Sequence, residues 1–288
     1  MTDLNHLVDR IDGLIDRLEE IMPRRPQQPN WENATAFRWR GNNHPAPLQA
    51  VRHQSSPRLQ DILSSDRQKS QLDRNTQQFL QGQPANNALL WGSRGTGKSS
   101  LIKALLREYS DQGLRLIEIH KDQLFELPDL LDTLDGRSEK FILYSDDLSF
   151  EANDPSYKTL KAVLDGSICP LPENALIYAT SNRRHLMPEL NSENQETRLV
   201  NTELHHGEAV EEKVSLSDRF GLWLSFHPFN QDQYLGIVRH WIVKLNGPVE
   251  PWDVIRAEAL RWALNRGSRS GRTAWQFARD WVGKSHII

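Results

Sequence analysis

The stretch "GSRGTGKS", residues 92–99, decides how the rest of the chain is read. It fits the spacing G-x-x-x-x-G-K-[ST] through Gly92, Gly97, Lys98 and Ser99. The chemistry explains these residue types. Glycines let successive backbone N–H groups curl around phosphate oxygens, and a helix starting just after the loop adds the partial positive charge of its N-terminus. Upstream, "NALLWG" (87–92) reads as a short buried strand, and downstream "SSLIKALLREYSDQG" (99–113) reads as a helix. That context is the one the motif requires. Gly92, Ser93, Arg94, Gly95, Thr96, Gly97, Lys98, Ser99 and Ser100 are therefore assigned to the phosphates of ATP. Lys98 is expected to bridge the β- and γ-phosphates, with the Ser99 hydroxyl taking one site on Mg²⁺.

Outward from the loop, strands and helices alternate. "LRLIEIH" (114–120), "KFILYSDD" (140–147), "NALIYATSN" (174–182) and "FGLWLSFHPF" (220–229) read as four further strands. "SSDRQKSQLDRNTQQFLQG" (64–82), "FELPDLLDTLDG" (125–136) and "SYKTLKAVLDG" (156–166) read as helices. This order predicts an α/β fold with a parallel sheet in three αβα layers. From Gln231 onward three helical patterns follow with no strand, which predicts a small helical lid over 231–288. The core is expected over 59–230, an arm or linker over 23–58, and an N-terminal amphipathic helix over 1–22.

The third strand ends in "FILYSDDLSFE" (141–151), with two adjacent carboxylates. Sites in parallel sheets lie at the carboxyl ends of strands, so Asp146 and Asp147 are expected beside the nucleotide. A hard cation wants oxygen ligands, and Asp146 fits the Mg²⁺ role. Asp147 fits the second role, accepting a hydrogen bond from the attacking water. Aspartate is shorter than the commoner glutamate, and Glu151, four residues on, is an alternative base.

Bulk properties narrow the field. The 288 residues carry a formal charge of −3, which leaves no global nucleic-acid footprint. A single cysteine, Cys169, excludes an intramolecular disulfide framework. No stretch has the apolar length of a bilayer span. The opening "MTDLNHLVDR" is acidic and amphipathic, where a secretory leader is basic and then apolar. A cytoplasmic protein without membrane contact is expected. Residues 4–22 carry an apolar stripe suited to self-association or to packing on the chain's own body. Between 23 and 58, Arg24, Arg25, Arg38, Arg40, Arg52 and Arg58 interleave with Trp31, Phe37 and Trp39. Such an arm suits either a nucleic-acid strand or docking of its aromatics on the protein itself. His205, His206 and Glu208 offer a metal reading, but support for the segment that follows is the preferred use.

With these elements in place, residues 59–288 resemble the AAA-plus ATPases. "LQDILSSDRQK" (59–69) is similar to the segment that lies against adenine, with Ser64 where a glycine is usual. "ATSN" ends a strand with Asn182, resembling the sensor 1 residue that helps place the water. "LSDRFG" (216–221) resembles the arginine-finger segment, and the resemblance implies that Arg219 reaches into a neighbouring subunit's site. Arg183 and Arg184 compete for that role. "SGRTAWQF" (270–277) resembles the start of the sensor 2 helix, implying contact of Arg272 with the γ-phosphate. More narrowly, "SRGTGKSSLIKALL", "DDLSFE", "YATSNRRHL" and "EEKVSLSDRFGLWL" resemble one bacterial family of predicted ATPases of unassigned role. The resemblance implies Mg-ATP hydrolysis in a homo-oligomeric ring or filament that remodels a protein client. A nucleic-acid- or helicase-associated ATPase working through 23–58 is the alternative, with a slow ATP-gated switch behind it. "HKDQLFELPD" (120–129) lacks the glycine of a threading loop.

Overall fold

The structure, a computed structural model, describes residues 29–51, 57–150, 154–166, 170–184, 186, 199–200, 203–204 and 216–285. The N-terminal periodic segment, Glu151, Cys169, His205, His206 and Glu208 lie outside these residues.

Seven strands form the central sheet: β1 (Ala36–Trp39), β2 (Leu48–Ala50), β3 (Ala88–Gly92), β4 (Leu114–Glu118), β5 (Lys140–Ser145), β6 (Ala175–Ser181) and β9 (Leu222–Phe226). Their spatial order is β2-β1-β4-β5-β6-β3-β9. All pairs are parallel except β1 with β2, which closes one edge antiparallel. A separate antiparallel pair, β7 (Leu199–Val200) and β8 (Glu203–Leu204), stands outside this sheet.

Alternation along each strand feeds two cores. On β5, Phe141 and Leu143 face one side while Ile142 and Tyr144 face the other. On β3, Leu89 joins the first side, and Ala88 and Leu90 join the second. Both faces are covered, which is why these strands read as unbroken apolar runs. Helices α1 (Asp66–Leu80) and α2 (Lys98–Tyr109) cover one face through Leu72, Phe79, Leu101 and Leu105. Helices α3 (Leu127–Leu134) and α4 (Pro155–Leu164) cover the other through Leu130, Leu131, Leu160 and Val163. The expected three-layer architecture is present.

One expectation needs correction. Residues 36–50, placed in an arm outside the core, build two strands of the sheet, and β1 pairs with β4. In "AFRWR" Phe37 and Trp39 are buried while Arg38 and Arg40 point outward, the alternation of a strand. Trp31 packs on Phe37 and Phe141 at centroid distances of 4.5 and 5.2 Å. The Trp39 indole donates to Glu126 Oε2 at 2.8 Å, and Arg38 pairs with Glu118. Rings held in this way have no free face for a nucleic-acid base. The aromatics dock on the protein itself.

Helices α5 (Gln231–Lys244), α6 (Trp252–Asn265) and α7 (Gly271–Ser285) enclose a third core around Tyr234, Val238, Ile242, Ile255, Ala259 and Phe277. A reciprocal cap starts α5: Asn230 Oδ1 accepts from the Gln233 amide at 2.9 Å, and Gln233 Oε1 accepts from the Asn230 amide at 3.0 Å. The cap turns the chain from the sheet edge into the lid.

Candidate nucleotide site

The loop between β3 and α2 passes close beneath β9. At Gly92, with φ +126°, an added Cβ would sit 2.0 Å from the Phe226 carbonyl oxygen, so only glycine fits. Gly95 faces the lid instead, where a Cβ would come within 2.8 Å of Ser270. Lys98 begins α2 with its side chain folded back. Its ammonium donates to the carbonyls of Gly92 (2.8 Å) and Ser93 (2.9 Å), and to Asn182 Oδ1 at 3.3 Å. Burial pushes Lys98 below the usual lysine range, and the nearby Asp146 and Asp147 only partly offset it.

The two aspartates leave β5 in different directions. Asp147 adopts φ +52°, in the left-handed region uncommon for a non-glycine residue. Thr180, on the neighbouring strand β6, joins them. Its hydroxyl accepts from the Asp147 amide at 3.0 Å and donates to Asp146 Oδ1 at 2.5 Å. Asp146 Oδ1 also accepts from the Ser99 hydroxyl at 2.7 Å. Burial opposes charge on Asp146, but the hydrogen bonds from Thr180 and Ser99 outweigh it and hold the carboxyl below its usual value. Asp147 Oδ1 accepts from the Asn182 side-chain amide, and its second oxygen lies 3.8 Å from the Arg94 guanidinium. Ser99, Asp146, Thr180, Asp147, Asn182 and Lys98 thus form one continuous polar chain.

This chain lines one end of a cavity of about 830 Å³ between sheet and lid. The volume falls within the range of ligand pockets. Arg94 through Ser100 line it, as do Arg272 and Trp275 at the start of α7. Apolar and aromatic side chains line it as well: Ile62, Leu63, Phe229, Ile237, Trp241 and Trp275. Trp241 and Trp275 meet edge to face with centroids 4.6 Å apart. Asp61 and Lys244 line it too. Burial opposes charge on Asp61, yet Lys244, the Arg58 amide and His240 together hold its carboxyl below the usual range.

Not every expected residue joins this cavity. Arg219 is not among the lining residues, and its guanidinium pairs with Asp165 at the end of α4. Arg183 and Arg184 are exposed and also stand apart, with Arg184 lying 5.8 Å over the Trp91 ring. Sequence reasoning missed Thr180, Trp241, Asp61 and Lys244. A signal existed for Thr180, which lies in β6 two residues before Asn182, just past the end of that strand.

Ser99 Oγ and Asp146 Oδ1 supply oxygen ligands only, close enough to share a hydrogen bond, and so fit a hard cation such as Mg²⁺. Among the described residues, no group of three or more His, Cys, Asp or Glu is arranged to hold a metal. Among them, too, no helix is long and apolar enough to cross a membrane.

The family described as "Protein of unknown function (DUF815)" matches residues 32–285. The chain belongs to this family. The DUF815 match takes in β1 together with the cavity and the lid, so all of them are parts of one family unit. Among curated proteins, the replication factor C large subunit of Sulfolobus acidocaldarius is 32% identical over 93 residues, covering 32% of this chain and 21% of that protein. Among solved structures, a RuvB of Thermotoga maritima matches with TM-score 0.54 at 15% identity, covering 77% of this chain and 63% of that one. ORC1 of Aeropyrum pernix, solved in complex with DNA, matches with TM-score 0.53 at 15% identity, covering 81% and 65%. The chain spans less than two thirds of the length of each of these proteins. Such likenesses speak for the fold. This DUF815 chain has the fold of the AAA-plus P-loop ATPases.

Proposed function

We propose that the chain binds Mg-ATP in this cavity and hydrolyses it, as a motor or switch completed by a second copy of itself. The observation that carries the reading is the polar chain from Ser99 through Asp146, Thr180 and Asp147 to Asn182, set beside Lys98. It joins the phosphate loop to the tips of β5 and β6, the three elements that phosphoryl transfer to water needs in one place.

Each residue then has a task. Backbone amides of Gly95 to Ser99 wrap the phosphates, and Lys98 leaves its carbonyl partners for the β- and γ-oxygens. Ser99 and Asp146 would hold Mg²⁺, which when bound neutralises charge building on the phosphates. Asp147 accepts a hydrogen bond from the attacking water, and Asn182 fixes the direction of that carboxylate. Arg272 approaches the γ-phosphate from the lid. Ile62, Trp241 and Trp275 enclose the base.

Arg219 lies off its own chain's cavity and is tied to Asp165. A finger held ready for a neighbouring subunit fits that position and supports a homo-oligomeric ring or filament. A protein client is the preferred load. The second reading, a nucleic-acid-associated ATPase, draws on the ORC1 structure with DNA and on the replication factor C match. The burial of Trp31, Phe37 and Trp39 weighs against base stacking as its means.

The test is Mg²⁺-dependent ATP hydrolysis per subunit over a wide range of protein concentration. Specific activity that climbs with concentration, and that is lost in Arg219→Ala, is the expected result. Binding without hydrolysis at every concentration would remove the motor and leave the switch. DNA binding that weakens steeply with salt would favour the second reading.

A further inference from the structure

Asp61 is the least expected charge in the molecule. It ends the short turn Leu59–Asp61 on the core side of the cavity, and its side chain is only 2% exposed. Buried carboxylates need partners. One partner is local: the Arg58 amide donates to Oδ2 at 2.9 Å. The two cationic or ionisable partners come from the lid. His240 Nε2 donates to Oδ1 at 3.2 Å, and the Lys244 ammonium reaches Oδ2. They are four residues apart on α5 and so lie one turn apart on one face.

Between them on the same turn stands Trp241. Its ring packs against the His240 ring at 5.1 Å, under the Lys244 ammonium at 5.3 Å, and against Trp275 at 4.6 Å. Asp61, Trp241, Lys244 and Trp275 all border the cavity. The lid is fastened once more at the phosphate end, where the Gly271 amide donates to the Gly95 carbonyl at 2.8 Å. That second fastening is backbone only. The ionic one at the base end responds to charge.

We propose that Asp61 is a positioning residue for nucleotide binding: through His240 and Lys244 it holds α5 so that Trp241 and Trp275 form the wall against the base. The inference rests on the nucleotide reading and deepens it. It assigns the carboxylate to affinity, while turnover belongs to the phosphate end. If the lid swings away, Asp61 and Lys244 gain water together. If Lys244 is removed while the lid stays, the carboxylate is left buried without its cation. Lid position and the charge of Asp61 are therefore linked.

The experiment uses the full chain as wild type, Asp61→Asn, Lys244→Met, the double variant and Trp241→Phe, each checked by circular dichroism and thermal melting. Mg-ADP binding is measured by calorimetry, together with KM and kcat for Mg-ATP and the tryptophan fluorescence change on adding Mg-ADP. Each single charge variant should bind Mg-ADP about tenfold more weakly, a size usual for coupling through a two-state element. KM should rise by a similar factor while kcat moves far less. The double variant should be no weaker than the worse single, and the fluorescence change should shrink in both Trp241→Phe and Asp61→Asn.

Binding and fluorescence of wild-type size in Asp61→Asn would overturn the proposal while leaving nucleotide binding intact. So would losses that multiply in the double variant, or a fall in kcat at unchanged KM. If Asp61→Asn does not fold, Lys244→Met decides alone, since Lys244 is a part-exposed residue in the last turn of its helix. A wild-type chain that binds neither nucleotide overturns this inference and the proposed function together.

Discussion

The two ends of the cavity are held together in different ways. At the phosphate end, neighbouring parts of one sheet bond to each other: the loop after β3 and the tips of β5 and β6 share hydrogen bonds through Thr180 and Asp146. At the base end, the core and the lid meet across a boundary, and a buried carboxylate is balanced by charges from a separate helical layer. The first set of bonds includes no residue of the lid, and the second joins the lid to the core. Under the proposed function, that division lets the chemistry stay assembled while the grip on the nucleotide varies.

The largest effects should come from the phosphate end. Lys98→Ala removes the cation facing the phosphates and should abolish measurable Mg-ATP binding. Asp147→Asn should keep binding but lower kcat by about a hundredfold or more, the scale for losing a positioned base. Single-turnover hydrolysis beside equilibrium binding separates the two. Equal losses in both variants would erase the distinction between holding and reacting.

A smaller effect belongs to the backbone beneath the loop. Gly92→Ala forces a Cβ against the Phe226 carbonyl and should cost at least about 1–3 kcal/mol from backbone strain alone. Urea unfolding measures it. Little change there would mean that the loop relaxes freely, and the picture of a prebuilt phosphate end would fail.

At the base end the expected effect depends on pH. Asp61 is held below the usual aspartate value of 3.8 in the fold, so the unfolded chain takes up its proton first as pH falls. The stabilisation is fully present above that value and is lost as pH drops through the lower folded value. Thermal melts from pH 6 to pH 2.5 should therefore show a steeper acid loss in wild type than in Asp61→Asn. Parallel curves would separate the lid from this carboxylate.

The smallest effect is expected far from both ends. Arg38 and Glu118 form an ion pair on the sheet surface with side chains 48% and 36% exposed. Arg38→Ala should change stability by less than about 1 kcal/mol and leave nucleotide affinity untouched. A larger effect on binding would revive the arm as a functional element.

What was legible in the sequence follows the same division. The loop at 92–99 and the acids at 146 and 147 are each contiguous, so their places at the carboxyl ends of β3 and β5 could be read directly. The alternation of strands and helices gave the three layers because buried parallel strands are unbroken apolar runs. Strand β1 stayed hidden because its alternation covers only a few residues inside an arginine-rich stretch, and its partners on β4 lie about 80 positions away. Thr180 is bonded to Asp146 and Asp147, more than 30 positions earlier and just past the end of a neighbouring strand. The partners of Asp61 are more remote still, with His240 179 positions along the chain. Nothing local marks a charge whose meaning is a contact with another layer.

The most direct test of the central claim measures Mg-ATP binding and hydrolysis on the same samples of wild type, Lys98→Ala and Asp147→Asn. Binding and turnover are expected in wild type, binding without turnover in Asp147→Asn, and neither in Lys98→Ala. Hydrolysis by Asp147→Asn at the wild-type rate, or undiminished binding by Lys98→Ala, would contradict that claim.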